Sequence, residues 1–323
     1  MELIQNNPKI TDLSNISLNS ALNLKKESVW QQLGEIKVED VIFNWLETFG
    51  SNTQRSYGYG VKKLVDLGLM DLQHSLQEFA LINHNVILDR IKLVQEWSET
   101  TCQARAACYL SFTRFLSRRT EGVIKRAEPS KEGANKTFYK VREKVSTKAI
   151  DMAQWMRFLE VLEKYNYRDS LIAKAMLQGG KRISEVLSLQ SFQIDFDEQQ
   201  VIFIQSKTKG IHKELAIHYP TDYMRALKEY LQDREGVVFV TKNGQKLKPT
   251  QIERSFAKAG EKAKIPFKVT PHVIRASVVT YLKGQGFSDS DVMKVTGHAS
   301  SEMVNAYDKS QQADNITKKI NLI

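Results

Sequence analysis

The sequence predicts a mainly α protein with a small three-stranded antiparallel sheet, an α+β chain built as two domains. Three observations lead there. Apolar residues recur at helical spacing through residues 38–119 and again from residue 152 onward. A change to period two is confined to residues 199–241. Between the helical stretches lies a polar, charged segment whose "EPSKEGANK" has the composition of a linker. At 323 residues the chain is long enough for each domain to bury its own core.

Taken in order, residues 1–35 are polar without a sustained period and read as a loosely ordered leader. Residues 36–125 then read as an all-helical domain. "VEDVIFNWLETF" sets Val38, Val41, Ile42, Trp45 and Phe49 on one stripe, as a core-facing helix requires. Ser51, Asn52 and Thr53 are cap candidates for a second helix carrying Tyr57, Val61, Leu64 and Val65. "NHNVILDRIKLVQEWSE" and "TTCQARAACYLSFTRFLSRR" supply a third and a fourth. Residues 126–146 are expected as a basic linker, 147–308 as the second domain and 309–323 as a tail. In the second domain "MAQWMRFLEVLEKY" and "DSLIAKAMLQGG" are helical, and "GGKRISEVLSLQ" resumes a helix after a glycine pair. "QQVIFIQS", "HKELAIHYP" and "GVVFVT" read as the three strands, the first two joined by a "KTKGI" turn. Helices return to the end.

The net charge of +10, with a pI near 9.3, suits a polyanionic partner and raises its encounter rate. The excess is uneven. Residues 113–148 hold eleven Lys or Arg against four Glu, which is +7 of the +10. A solvated tether is one reading of that segment; a joint lying along a phosphate backbone accounts better for the clustering. Residues 246–268 carry seven Lys or Arg against two Glu and read either as a solvated helix face or as a second contact.

The chain opens without a cationic head followed by an apolar run, and it has no run of eighteen apolar residues, so a cytoplasmic protein without membrane contact is expected. Cys102 and Cys108 suggest neither a disulfide framework nor a CxxC metal pair. His212 and His218 could share a face of one strand or hairpin, but no third ligand stands near, so no metal site is expected.

The residues suited to chemistry lie in the second domain. Arg182 enters a helix beside Glu185, where a permanent cation with a planar fork of donors fits phosphate oxygens. Lys207 stands at a hairpin tip. Thr270 and Pro271 mark a helix start, and His272 and Arg275 share one face of that helix. Ser288 and Asp291 resemble a capping box, Gly297 can end that helix, and His298 follows it. Tyr307 comes nine residues later on a short helix. Tyr223 and Tyr281 fall among apolar neighbours and read as packing.

This constellation resembles the tyrosine recombinases of the phage integrase family: an arginine in "GKRISE", a hairpin lysine, "HVIR", "GH", and a tyrosine nine residues on. The likeness covers roughly residues 38–310, weakly in the first domain and strongly in the second. With a chance match of about one in twenty per position, the ordered set is improbable by accident. Plasmid-encoded integrase-like proteins of chlamydiae are suggested as a nearer branch. Two positions depart from the family pattern: Thr296 replaces the usual leucine before Gly297, and Lys181 stands where an apolar residue is common.

The resemblance implies a C-shaped clamp on double-stranded DNA, formed by a helical core-binding domain and a catalytic domain. It implies site-specific recombination through a covalent 3′-phosphotyrosyl intermediate, with no metal, no ATP and no other cofactor. Tyr307 would attack; Arg182 and Arg275 would hold the scissile phosphate; Lys207 would protonate the leaving 5′-oxygen; His272 would assist the tyrosine's proton; and His298 would donate to a phosphate oxygen. Glu185 would orient an arginine, with Gly297 in support. DNA contacts are expected from Arg114, Arg118, Arg119, Lys125, Arg126, Lys140 and Arg142, and from Lys246, Lys248, Arg254 and Lys258. A homo-oligomer, tetrameric when two sites are joined, is expected, with the tail either reaching a neighbour or packing locally. Type IB topoisomerase-like relaxation, or DNA-binding regulation without recombination, are the alternative functions.

Overall fold

The computed structural model describes residues 18–133, 136–139, 148–205 and 214–308, with side chains from residue 25 onward. The chain divides into two compact units, Met1–Tyr139 and Lys140–Ile323.

The first unit is helical among its described residues: α1 Leu18–Leu33, α2 Val38–Glu47, α3 Ser51–Asp66, α4 Leu76–Ala80, α5 His84–Lys92 and α6 Glu99–Arg119. The stripe read from α2 turns inward, with Val38, Ile42 and Trp45 buried. Trp45 stacks on Tyr57 of α3, ring centroids 5.3 Å apart, and meets Phe112 of α6 at 5.1 Å. These rings tie three helices into one core. Helices α3 and α6 approach closely at Gly60, where a Cβ would lie 2.8 Å from Cys108 Sγ. Burial pushes the Cys108 thiol up to about 12, so it packs as a small apolar residue. Cys102 and Cys108 are both free.

Three sequence readings are corrected here. The loosely ordered leader contains α1, whose Val29, Trp30 and Leu33 pack on the first core. Its apolar stripe is broken at Lys25 and Lys26, so no sustained period announces it. Helix α3 is capped by Gly50, with Ser51 already helical, so the expected cap side chains fall inside the first turn. Residues 126–133 and 136–139, expected as the start of the linker, dock on the first unit. The Ala127 N–H donates to Thr113 Oγ1 at 3.1 Å, Thr137 is buried, and Phe138 packs on the core. Residues 140–146, the rest of that linker, lie outside the described residues, as do tail residues 309–323.

The second unit contains α7 Met152–Tyr165, α8 Tyr167–Gly179, α9 Ile183–Leu187, β1 Ile194–Asp195, β2 Gln200–Ile204, β3 Glu214–His218, α10 Thr221–Leu231, α11 Pro249–Lys262, α12 Pro271–Gly284, α13 Asp289–Thr296 and α14 Ser301–Tyr307. Helix α8 is buried along most of its length through Leu171, Ile172, Ala173, Ala175 and Met176. Helix α7 packs on α11 through Phe158 and Phe256, edge to face at 5.4 Å. Tyr223 is packing, as expected: it stacks on Tyr219 and donates to the Leu171 carbonyl at 3.2 Å. Tyr281 lies against Trp155, ring centroids 5.7 Å apart.

The sheet is antiparallel in the order β1-β2-β3, with Ile194 opposite Val201 and Val201 opposite Ile217. Val201, Phe203 and Ile217 are its buried face. The strand count agrees with the sequence; the membership does not. "GVVFVT" makes only isolated bridges, Gln190 to Val237 and Val240 to Lys246, and the third strand is Ile194–Asp195. Val238 and Phe239 are fully buried, so that apolar run is a covered crossing of the core, a pattern that periodicity alone cannot separate from a strand.

Candidate active site

Three helices near the end of the second unit share a small core of their own. Val279 of α12, Val292 of α13 and Val304 of α14 are buried together, with Leu282, Met293 and Tyr307 packed against them. This cluster sets the relative positions of Arg275, His298 and Tyr307.

Pro271 opens α12 with Thr270 as its cap, the Thr270 hydroxyl accepting from the Val273 N–H at 3.3 Å. The capped turn puts His272 at the solvent side and Arg275, one turn on, in the interior at 2% exposure. Arg275 Nη1 donates to the Gly180 carbonyl, and Nε donates to His298 Nε2 at 3.3 Å. Its Nη2 is buried without a hydrogen-bond partner. An orphaned buried donor costs about 1–3 kcal/mol, and more when charged, so this atom marks a place prepared for an acceptor.

Arg182 caps α9 and pairs with Glu185 Oε1 at 2.8 Å, while the Arg182 backbone N–H donates to Oε2 at 3.0 Å. The carboxylate is buried and the guanidinium remains partly exposed, so Glu185 orients a cation that still faces outward. Arg275 is lowered to about 10 by burial first and then by the charge of Arg182, and at neutral pH it remains a cation. Glu185 bonds Arg182 directly and acts on Arg275 only through its charge, so one carboxylate stands against two guanidiniums. The surplus positive charge suits an anion.

Gly297 ends α13 with φ +71°, in the left-handed region. A Cβ there would fall on the Gln205 amide, whose Nε2 donates to the Gly297 carbonyl at 3.0 Å. The turn therefore fixes both the direction of His298 and the approach of the β2 end. Gly297→Ala is expected to cost about 1–3 kcal/mol through backbone strain and the displaced amide, measured as a lower urea midpoint. His298 is 3% exposed. Burial first, then the charges of Arg275, Arg182 and Lys181, holds its imidazole down to about 3, so it is neutral at pH 7. The Tyr307 ring lies 5.2 Å from it, centroid to centroid, at the end of α14. Thr280 of α12 donates to the Tyr307 carbonyl at 3.4 Å.

Arg182, Glu185, Arg275, Gly297, His298 and Tyr307 thus belong to one connected neighbourhood, with His272 on the same helix as Arg275. Lys207 lies outside the described residues. Its hairpin stem reaches the site, since Gln205 bonds Gly297. Sequence reasoning missed Gln205, which carries no local signal. It also gave no role to Gly180, whose φ of +55° turns a carbonyl toward Arg275. The glycine pair is visible in the sequence, but only as a helix break.

The expected DNA-contacting residues Arg114, Arg118, Arg119, Lys125 and Arg126 are exposed, as are Lys246, Lys248, Arg254 and Lys258. Arg114, Arg118 and Arg119 line a 520 Å³ cleft with Trp45, Phe49 and Phe115. Lys140 and Arg142 lie outside the described residues. Among the described residues, no cluster of three or more His, Cys, Asp or Glu could hold a metal, and no helix is long and apolar enough to cross a membrane.

Comparison with known proteins gives a consistent result. The profile of the phage integrase family matches residues 148–314. The virulence plasmid integrase pGP8-D of Chlamydia trachomatis serovar L2 is 47% identical over 316 residues, covering 97% of this chain and 96% of that protein. Among solved structures, the Tn1549 transposon integrase in complex with transposon right end DNA superposes with a TM-score of 0.66 at 14% identity, covering 88% of this chain and 98% of that one. The lambda integrase tetramer bound to a Holliday junction gives 0.62 at 14%, covering 85% and 78%. At those identities the two structures speak to the fold.

Proposed function

We infer that this chain, which belongs to the phage integrase family, is a site-specific DNA recombinase that cuts and rejoins duplex DNA through a phosphotyrosyl link at Tyr307. One observation carries the reading: the guanidinium of Arg182, oriented by buried Glu185, stands near enough to Arg275 to act on its charge, and Arg275 keeps a buried N–H donor without a partner beside His298 and Tyr307. A phosphodiester entering this place would satisfy the orphaned donor and the surplus charge together.

In the proposed reaction the Tyr307 oxygen attacks phosphorus as its phenolic proton departs. The bond to the 5′-oxygen breaks, and that oxygen takes a proton from Lys207. Arg182 and Arg275 bear the charge that grows on the nonbridging oxygens, a task for fixed cations that does not call for a metal. His272 assists the phenolic proton. The 3′-phosphotyrosyl bond conserves the energy of the broken linkage, so a 5′-hydroxyl from a partner strand reseals it without ATP. Both units would contact the same duplex as a clamp, and four copies would join two sites, an arrangement supported by the tetrameric lambda relative.

The test is a library of nicked random-sequence duplexes, from which covalently trapped DNA is recovered and the selected site placed on two molecules. Exchange of flanking strands without ATP is expected. Relaxation of supercoils without exchange would instead make the chain topoisomerase-like, and binding with no adduct would make it a regulator. The basic surface gives a separate expectation. Replacing Arg114, Arg118 and Arg119 by alanine should reduce the slope of log affinity against log salt by about 0.9 for each phosphate no longer neutralised, read by fluorescence anisotropy across a salt series.

A further inference from the structure

The two positions that depart from the family pattern lie side by side. Lys181 is fully buried in the loop between α8 and α9, where its Nζ donates to the Val295 carbonyl at 2.7 Å and lies 5.4 Å from the Phe203 ring centroid. Thr296, the residue after Val295, is also fully buried, and a Cβ on Gly180 would lie 2.7 Å from its Cγ2. The loop that presents Arg182 and the helix end that presents His298 are therefore packed together through Lys181 and Thr296.

The Thr296 hydroxyl lies 2.6 Å from the Val292 carbonyl and 2.6 Å from His298 Nδ1. It owns one proton, and a carbonyl can only accept, so the hydroxyl donates to Val292 and accepts from Nδ1–H. The other side of the ring gives the same assignment independently. Arg275 Nε–H points at His298 Nε2 from 3.3 Å, and a guanidinium can only donate, so Nε2 must offer a lone pair. Moving the proton to Nε2 would set two donors against each other at Arg275.

We propose that Thr296 is a positioning residue that holds His298 as the Nδ1–H tautomer, its Nε2 lone pair turned toward Arg275. The proposal rests on the reading of this site as a phosphate cradle. It deepens that reading, because His298 held this way meets an arriving phosphate with a lone pair at Nε2. It can donate there only after binding a second proton from water, and Thr296 then still accepts from Nδ1–H of the imidazolium. Among the described residues, the charged and titratable groups facing the ring are Arg275 from α12, Arg182 and Lys181 from the loop before α9, and Tyr307 from α14. These cations oppose the second proton in the free protein. The negative charge of a bound phosphate works against that opposition. A leucine at position 296 would leave Nδ1 without this acceptor.

The test compares the full chain with Thr296→Val, which keeps the shape and removes the hydroxyl, and Thr296→Ser, which keeps the hydroxyl. Nitrogen chemical shifts of ¹⁵N-histidine are recorded at pH 7 without DNA, with the His298 resonances identified by their loss in His298→Gln. The parent chain and Thr296→Ser are expected to show a protonated Nδ1 and a bare Nε2; Thr296→Val leaves only the longer 3.3 Å contact from Arg275 to hold the tautomer, so the proton should spread and the two nitrogen shifts should move toward each other. With nicked DNA, adduct formation should slow about tenfold or more in Thr296→Val and recover in Thr296→Ser. A parent chain protonated at Nε2, or a valine variant that keeps Nδ1–H, overturns the proposal. The spectra need no catalysis, so a parent chain that forms no adduct would refute the recombinase reading while leaving the tautomer decided.

Discussion

Replacing Tyr307 by phenylalanine is expected to leave folding and DNA affinity intact and to lower covalent adduct formation by about a thousandfold or more. The change removes one oxygen and keeps the ring. That ring packs against the valine cluster joining α12, α13 and α14, so its apolar contacts, and with them the places of Arg275 and His298, survive the substitution. In the proposed reading the DNA backbone would be held by exposed cations elsewhere on the chain, and those are untouched. What disappears is the atom that bonds to phosphorus in the proposed reaction. The measurement is the shift of labelled, nicked DNA on a denaturing gel, alongside anisotropy on the same duplex. Undiminished adduct in this variant would mean that another nucleophile does the work.

The second large effect is expected from Arg182→Lys, which should slow adduct formation by about a hundred- to a thousandfold, the range for loss of a donor that acts mainly on charge developing in the transition state. Charge is conserved in this substitution and geometry is lost. The guanidinium bonds Glu185 through Nη1 and has further donors for a second partner, whereas an ammonium offers a single point of charge. Arg182 is a better position for this experiment than Arg275, because its side chain is partly exposed and the lysine can be accommodated. At Arg275 the same change would also break the bonds to Gly180 and His298 in the interior and would confuse stability with chemistry. Single-turnover rates with saturating protein separate the slow step from any change in affinity. A near-parental rate would remove Arg182 from the phosphate.

Much of the site can be read from the sequence because its parts sit at helix boundaries, where local chemistry leaves marks. Thr270 and Pro271 announce the turn that presents His272 and Arg275, and Ser288 with Gly297 brackets the helix that delivers His298. Spacing then relates His298 to Tyr307, since a helix end, a turn and a short helix allow few arrangements. What cannot be read depends on bonds between residues far apart in the chain. Gln205 meets Gly297 across 92 positions, and Lys181 reaches Val295 across 114. Neither leaves a local pattern. Thr296 and Lys181 do stand out against the family pattern, but only the fold shows that they are neighbours.

The fold shows the same division. The amphipathic stripe of α2 and the apolar length of α8 are plain, because many residues repeat one message. Helix α1 leaves a weaker mark because Lys25 and Lys26 interrupt its apolar stripe. The segment at 236–241 reads as a strand because a buried crossing and a buried strand both present a short apolar run, and only the hydrogen-bond partners separate them. The described residues after 125 read as linker for a similar reason. Arg126, Glu128, Lys131 and Glu132 are exposed, while Ala127, Thr137 and Phe138 anchor the segment.

The central claim is that a single phosphate is attacked by the Tyr307 oxygen while the guanidiniums of Arg182 and Arg275 hold it. Peptide mapping of DNA trapped on the parent chain tests this most directly: the trapped complex is digested with protease and nuclease, and the nucleotide-bearing peptide is sequenced by mass spectrometry. The expected product is a 3′-phosphate esterified to Tyr307. A nucleotide attached to any other residue, or through its 5′-phosphate, would contradict it.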